Sequence, residues 1–285
     1  MNNMNPKVSI IMTTFNEQNH IKLSIQSILS QTYKNYELII VDDASTDKTC
    51  NIIKKLSKED NRIVLIENKE NVGFCKSLNI AIEKSKGEYI ARADGDDVCL
   101  PFRLEKEVQF LDRNPDITVV GSSYFVFDDN GIWGYVDATE DYTIESALKR
   151  VPTYHPTVMM RRKELFSIGC YTVWTKKIRC SEDFDLWLKF LTAGYKIQNL
   201  KIPTIKYRED QFSFQKRDKE QQYFLAKLKK EWRRKLNKNP FDFSQIKDII
   251  IGYLPRKVYS VLHKKSLMQS LNLNKGKLRE LEGIL

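Results

Sequence analysis

The chain of 285 residues is poor in residues that staple or chelate. Its five cysteines, Cys50, Cys75, Cys99, Cys170 and Cys180, are odd in number and show no CxxC spacing. That argues against a disulfide framework and against a zinc site, and leaves buried or incidental thiols in a reducing compartment. Histidine occurs three times. No run reaches the roughly 18 apolar residues that suggest a bilayer span. The longest candidate, 246–254, is interrupted by Lys247 and Asp248. Residues 1–7 are polar, and the first apolar run, 8–12, is too short for a secretory leader, so a cytoplasmic location is expected. Internal repeats and low-complexity tracts are also missing. With a hydrophobic share of 41%, the chain has enough apolar surface for a core and is not generally disordered.

Charge is present and unevenly placed. Residues 201–285 carry 21 Lys and Arg against 9 Asp and Glu, a net +12. The first 200 carry 26 against 28, a net −2, which together give the overall +10. The larger part reads as an ordinary enzyme, and the last 85 residues as a basic appendage. Such asymmetry points to an anionic partner, a membrane surface or a nucleic acid.

Apolar runs and helical spacings alternate along the first hundred residues. Strands are expected at 8–14, 36–41, 62–67 and 88–93. Helices are expected at 17–31, after Asp43 (capped by Ser45 or Thr46), and at 74–86, with Gly87 as the glycine that closes the helix. This β-α-β-α-β-α-β order with near-continuous apolar strands predicts a parallel sheet covered by helices on both faces. Ligands bind such sheets beyond the carboxyl ends of the strands. Those ends carry the polar residues here: Thr13 to Glu17, Asp42 and Asp43, Asn71 to Gly73, and Asp94 to Asp97. In the last, Tyr89-Ile90-Ala91-Arg92-Ala93 runs into Asp94-Gly95-Asp96-Asp97. Carboxylates one residue apart can share a hard divalent cation, and Gly95 lets backbone approach a ligand. An Asp-rich turn is the plainer use of that tetrapeptide. Four polar strand ends on one rim favour a metal–diphosphate site.

Further on, a helix is expected at 102–112, a hairpin of 117–127 and 132–136 across Asn130-Gly131, a short helix at 143–150, a strand at 157–160, and a helix at 163–168 ending at Gly169. An apolar-faced helix at 182–193 closed by Gly194 and an extended segment at 196–207 complete this part. Beyond it, 215–237 reads as a charged helix with Phe224, Leu225, Leu228, Trp232 and Leu236 mostly on one face. A second patch at 246–262 mixes apolar and basic residues.

The motifs together resemble the family-2 glycosyltransferases: Val8-Ser9-Ile10-Ile11-Met12-Thr13-Thr14-Phe15-Asn16-Glu17, then Val41-Asp42-Asp43-Ala44-Ser45-Thr46-Asp47, then Asp94-Gly95-Asp96-Asp97. The resemblance covers about residues 7–208. It implies an α/β GT-A fold, Rossmann-like, and sugar transfer with inversion from a nucleoside diphosphate donor. Carried over by position, Thr13, Phe15 and Glu17 grip the nucleoside, and Asp43 meets the nucleobase with Asp42 behind it. Asp94-Gly95-Asp96 matches the DxD motif: Asp96 is the metal ligand, Asp94 faces the ribose or donor sugar and is counted with the metal, and Asp97 supports. Asn71, Gly73 and Lys76 are placed among the donor contacts. The implied cofactor is Mn²⁺ or Mg²⁺, and the commonest carrier in the family is uridine diphosphate. Ser181-Glu182-Asp183-Phe184-Asp185-Leu186-Trp187 resembles the ED-x-x-x-W segment, which makes Asp183 the base, in the first turn of a helix whose dipole favours a carboxylate. A first-turn helix carboxylate is its plainer reading. Glu182, Trp187 and His155, the last in a segment similar to those of surface-polysaccharide enzymes, are assigned to the acceptor. Trp187 stacks on a sugar or sits in the core.

Residues 1–208 are thus expected to be the catalytic domain, with a donor half at 7–112 and an acceptor half at 113–208. Residues 209–285 are expected to be a basic amphipathic helical extension. The expected acceptor is a lipid-linked saccharide at the inner face of the membrane, in O-antigen or capsule assembly. The C-terminal region either lies on anionic lipid, or packs on the domain or makes a homodimer contact. A nucleotidyltransferase shares the fold plan, but the 13–17 loop lacks the glycine and cation such enzymes use. A nucleic-acid-binding protein acting through the basic tail shows no binding motif, so no nucleic-acid partner is expected.

Overall fold

Strand β1 (Val8–Thr14) is the axis of the sheet. It pairs in parallel with β2 (Tyr36–Asp42) on one side and β4 (Tyr89–Asp94) on the other, and β3 (Ile63–Glu67) adds in parallel beyond β2. The computed structural model describes residues 5–138, 142–149, 152–174, 181–209, 219–253 and 256–281. Alternate side chains of β1 enter two cores. Val8, Ile10 and Met12 pack with Leu38 and Ile40 and with Ile21, Ile25 and Ile28 of α1 (Ile21–Leu29). Ile11 packs on the opposite face with Ile39, Val41 and Ile90 and with Leu78 and Ile82 of α3 (Phe74–Lys84). Burial on both faces is why these strands read as unbroken apolar runs. A fully buried Ile or Leu contributes about 1.5–3 kcal/mol of transfer free energy.

The second half of the sheet is mixed. β8 (Met159–Arg161) runs antiparallel between β4 and the long β6 (Ile117–Asp128), and β9 (Lys196–Arg208) lies parallel on the far side of β6. A two-residue strand, β5 (Val98–Cys99), ends the order β3-β2-β1-β4-β8-β6-β9-β5, and β7 (Gly131–Val136) forms the expected hairpin with β6. Helices α2 (Thr49–Glu59) and α4 (Arg103–Arg113) join α1 over one face. The other face takes α5 (Ile144–Lys149), α6 (Arg162–Ser167) and α7 (Glu182–Thr192).

Two local expectations fail for one reason, that residues were taken for tertiary work, and one strand boundary moves. Gly87 does not close α3, which ends in an extended Ser85. It lies where a Cβ would stand 2.5 Å from the Ser9 backbone nitrogen, so the close approach to β1 demands glycine. Ser45 and Thr46 do not cap α2, which begins three residues later; Asp47 instead accepts from the Thr49 N–H at 2.9 Å. The strand expected at 157–160 begins as a 3-10 turn at His155–Thr157 and becomes β8 only at Met159.

The basic C-terminal region forms α8 (Lys219–Lys235), α9 (Phe243–Tyr253), α10 (Arg256–Leu273) and α11 (Lys275–Leu281). Residues 215–218 of the expected first helix lie outside the described residues, as does Cys180. The apolar face of α8 is not turned to a bilayer. Leu228 and Trp232 belong to the core shared with α7, and Phe224, Leu225 and Leu236 pack against it. The expectation of a membrane-facing helix fails there because α7 and α5 would otherwise leave their apolar side bare. α10 crosses β7, with Leu267 buried against Gly134, where a Cβ would come within 3.0 Å of the leucine Cβ. Among the described residues no helix is long and apolar enough to cross a membrane.

Candidate active site

The rim is built from loops latched to one another. Asn16 sits in the left-handed region (φ 58°) at the end of β1. Its N–H donates to Ser45 Oγ at 3.0 Å, its Oδ1 accepts from the Thr46 N–H at 2.8 Å, and the Glu17 N–H donates to Thr49 Oγ1 at 2.8 Å. The polar residues that were candidates to cap α2 therefore hold the β1 and β2 loops together. Asp42, buried, accepts from both the hydroxyl and the N–H of Ser45. Asp43, also buried, accepts from the N–H groups of Val72 and Gly73 (both 2.9 Å) and from Asn68 Nδ2 (2.8 Å). Asn71 Nδ2 donates back to the Asp43 carbonyl at 3.2 Å. Gly73 has a φ of 92° with open space where a Cβ would stand, so the backbone turn alone requires glycine. Thr13 is half-buried beside this cradle, while Phe15, Asn71 and Lys76 are exposed on it.

Asp94, Asp96 and Asp97 converge at the end of β4, each with an oxygen within 4.8 Å of the others. Gly95 lets the loop tuck under β1, where a Cβ would lie 3.2 Å from Ile21 Cδ1 and 3.5 Å from Thr14 Oγ1. Ser24 Oγ donates to the Asp94 carbonyl at 2.6 Å. One oxygen of Asp97 accepts from the Arg208 N–H at 2.9 Å, and the other is buried with no partner. Burial, then the charges of Asp96 and Asp94, push the Asp97 carboxyl well above the usual range. An all-oxygen set with an orphaned buried carboxylate oxygen suits a hard divalent cation, so the residues present fit the metal the resemblance implies.

The sequence reading passed over Arg92. It is buried, and its guanidinium pairs with Asp94 Oδ2 and lies 5.5 Å from the centre of the Phe74 ring. The same guanidinium favours the charged forms of Glu182 and Asp183. Its signal was visible: a charge inside an otherwise apolar buried strand needs partners, and carboxylates are the obvious ones.

Glu182 and Asp183 open α7, whose N-cap Ser181 is left-handed (φ 73°) and gives no side-chain cap. Asp183 Oδ1 accepts from the Phe184 N–H at 2.7 Å. Burial raises the Asp183 carboxyl, and burial with the neighbouring Asp183 charge pushes Glu182 up to about 7. Behind Glu182 stands His155, with Nδ1 at 3.8 Å from Oε1 and Nε2 at 2.6 Å from the Tyr171 hydroxyl. Burial, then Arg92, holds His155 well below its usual range, hence neutral. His155 is 6% exposed and lies behind Glu182. Trp187 is 0% exposed and stacks with Phe190, so the expected sugar platform is a core residue: seven of the eleven residues of α7 are buried, and its indole has no open face. Asp185, also missed, joins α7 to both sides. It accepts from Thr172 Oγ1 at 2.6 Å and from the Trp232 indole N–H of α8 at 2.8 Å.

Comparison with known proteins identifies the family and the fold. Residues 9–176 match Glycosyl transferase family 2. EpsE of Bacillus subtilis, assigned as a glycosyltransferase, is 39% identical over 268 residues, covering 93% of this chain and 96% of its own. The Escherichia coli enzyme WfaP, named UDP-Glc:alpha-D-GlcNAc-diphosphoundecaprenol beta-1,3-glucosyltransferase, is 32% identical over 70% of this chain and 76% of its own. The fold is shared with S. aureus TarS 1-349 in complex with UDP-GlcNAc, at a TM-score of 0.66 and 19% identity over 85% of this chain and 70% of that one. The chain belongs to glycosyl transferase family 2, with the GT-A fold.

Proposed function

Starting from that membership, we propose that the chain moves a sugar, with inversion, from a nucleoside diphosphate donor to a hydroxyl of a lipid-linked saccharide in bacterial surface-polysaccharide assembly. A uridine diphosphate sugar is the donor we favour, in line with the name of WfaP. The lipid-linked acceptor would place the chain peripherally at the inner face of the membrane. The observation that carries this reading is the pair of acidic clusters, Asp94–Asp96–Asp97 and Glu182 with Asp183, sharing the buried Arg92.

In this reading Thr13, Phe15 and Glu17 hold the nucleoside. Asp43 fixes the turn that carries Asn71 and Gly73 at the same pocket, and Lys76 adds a cation to the approach. Asp96 and Asp94 would hold Mn²⁺ or Mg²⁺, with Asp97 beside them. When bound, the ion supplies positive charge against the diphosphate that leaves. Asp183 accepts the proton of the acceptor hydroxyl as its oxygen forms a bond to the anomeric carbon. The bond from that carbon to the phosphate oxygen breaks, and the nucleoside diphosphate departs with the electron pair. Burial makes Asp183 a stronger base, while Arg92 and the α7 N-terminus keep it ionised. Glu182, held by His155, stands beside it as a hydrogen-bonding group for the acceptor. Family membership leaves no support for the nucleotidyltransferase and nucleic-acid-binding alternatives.

The test is a donor screen. Melting temperature is measured with uridine, guanosine and thymidine diphosphate sugars, each with Mn²⁺, Mg²⁺ or chelator. A ligand at 100 times its Kd stabilises by about 2.7 kcal/mol. We expect a metal-dependent rise with a uridine donor. No rise with any nucleotide sugar would refute the reading.

A further inference from the structure

We propose that the outer faces of α9 and α10 form the seat for an anionic lipid bilayer. Upstream of α8, the large apolar side chains exposed among the described residues are Phe15, Leu23, Val64, Phe166, Val173 and Ile202, scattered over 200 residues. Eleven more crowd between Phe241 and Leu273. On α9, Phe243, Ile246, Ile250 and Tyr253 follow one another at steps of three, four and three. That spacing makes one stripe on a helix. They are 88%, 52%, 56% and 67% exposed. The other side of α9 is anchored: Gln245 is buried and donates to the Pro240 carbonyl at 2.9 Å, and the helix packs on α8. α10 repeats the pattern. Leu267 is buried on β7, while Val261 and Leu262, on the opposite side, are 65% and 58% exposed. Lys264 and Lys265 line the shallow groove beside them, and Lys264 lies over the Trp133 ring at 5.3 Å.

Charge selects the occupant. The segment 241–273 that holds both stripes carries five Lys and Arg against two Asp, a net +3, within a C-terminal region of net +12. A second copy of the chain would bring one such surface against another, and like charges disfavour that pairing. A nucleic acid would satisfy the cations and offer bases to Phe243 and Tyr253, but it leaves Ile246, Ile250, Val261 and Leu262, which neither stack on bases nor contact phosphates, without a partner. A bilayer with anionic headgroups answers both features: the acyl boundary takes the apolar stripes and the headgroups take Lys264 and Lys265. The seat deepens the peripheral location proposed above and rests on it for that location only. It also differs from the sequence-based expectation, since the stripe of α8 is spent inside the protein.

The test is co-sedimentation of the full chain with vesicles of phosphatidylglycerol and phosphatidylcholine, against vesicles of phosphatidylcholine alone. We expect binding to the anionic vesicles that weakens steeply in high salt, and a loss of about tenfold or more in bound fraction for the double variant Phe243→Ser/Ile250→Ser. Val64→Ser, on the catalytic sheet, should sediment as wild type does. Val261→Ser/Leu262→Ser gives an independent reading from α10, should the first pair fold poorly. The proposal is overturned if wild type stays in the supernatant, if it binds neutral vesicles equally well, or if both pairs sediment unchanged. A lipid-free dimer that either pair disperses would overturn it in favour of a second copy. The vesicle assay contains no nucleotide or saccharide, so it fails separately from the transfer reading, which fails on the donor-induced melting shift.

Discussion

The two carboxylate clusters of the site are built in opposite ways. Asp94, Asp96 and Asp97 stand at the end of a strand, and four residues of sequence bring them together. Burial, then the charges of its neighbours Asp96 and Asp94, raises the Asp97 carboxyl, and one of its oxygens has no partner. Glu182 and Asp183 stand at a helix N-terminus whose position is set from a distance. His155, bonded to the Tyr171 hydroxyl, stands behind Glu182, and Asp185 is clamped between Thr172 and Trp232 of α8. Arg92 is paired with Asp94 of one cluster, and its charge favours the ionised forms of the other. On the proposed reading the difference separates two tasks, one cluster to gather a cation and the other to hold a base at a fixed angle.

Substitutions test that separation. The largest effect is expected from Asp183→Asn. Removing a general base costs about 10²–10⁴ in kcat, while the metal-dependent melting shift with donor should persist. Turnover near wild type would remove Asp183 from its role. Asp96→Ala should do the reverse, weakening Mn²⁺-supported donor binding by about 10–100-fold in calorimetry. Unchanged affinity would dissolve the division between clusters. Arg92→Gln should touch both, with a fall of about tenfold in kcat and a comparable rise in donor KM. An effect on one parameter alone would assign the guanidinium to that cluster.

The smallest effect is a pH-dependent one. The Glu182 carboxyl is raised from 4.5 to about 7 in the fold, so between those values the native state holds a proton that the unfolded chain has lost. Stability therefore falls as pH rises through that window. Glu182→Gln cannot ionise and removes the penalty. Its melting temperature should match wild type near pH 4.5 and exceed it by a few degrees, about 3 °C, at pH 8. A constant gap across the range would mean that Glu182 is not held neutral by burial.

Much of this was legible in the chain itself. The alternation of strands and helices, the parallel order of β1 to β4, the hairpin at Asn130-Gly131 and the polar strand ends all follow from period, turn chemistry and the need to bury apolar faces. The carboxylate triad was equally plain, because its members are neighbours in sequence. Arg92 could have been found too, as a charge in a buried strand.

What the chain determined by itself was therefore whatever depends on neighbours: the elements, the rim and the carboxylate cluster at the end of β4. The tertiary structure decided what depends on partners far apart in sequence. It put Trp187 into the core when the motif alone left it free to face a sugar, and buried His155 beside Glu182 and the Tyr171 hydroxyl. It gave Gly87 a packing role in place of a helix end. It also spent the apolar stripe of α8 on α7, through Leu228 and Trp232, and left the stripes of α9 and α10 outside. An amphipathic pattern states that a face must be covered, and only the arrangement of the other elements fixes what covers it.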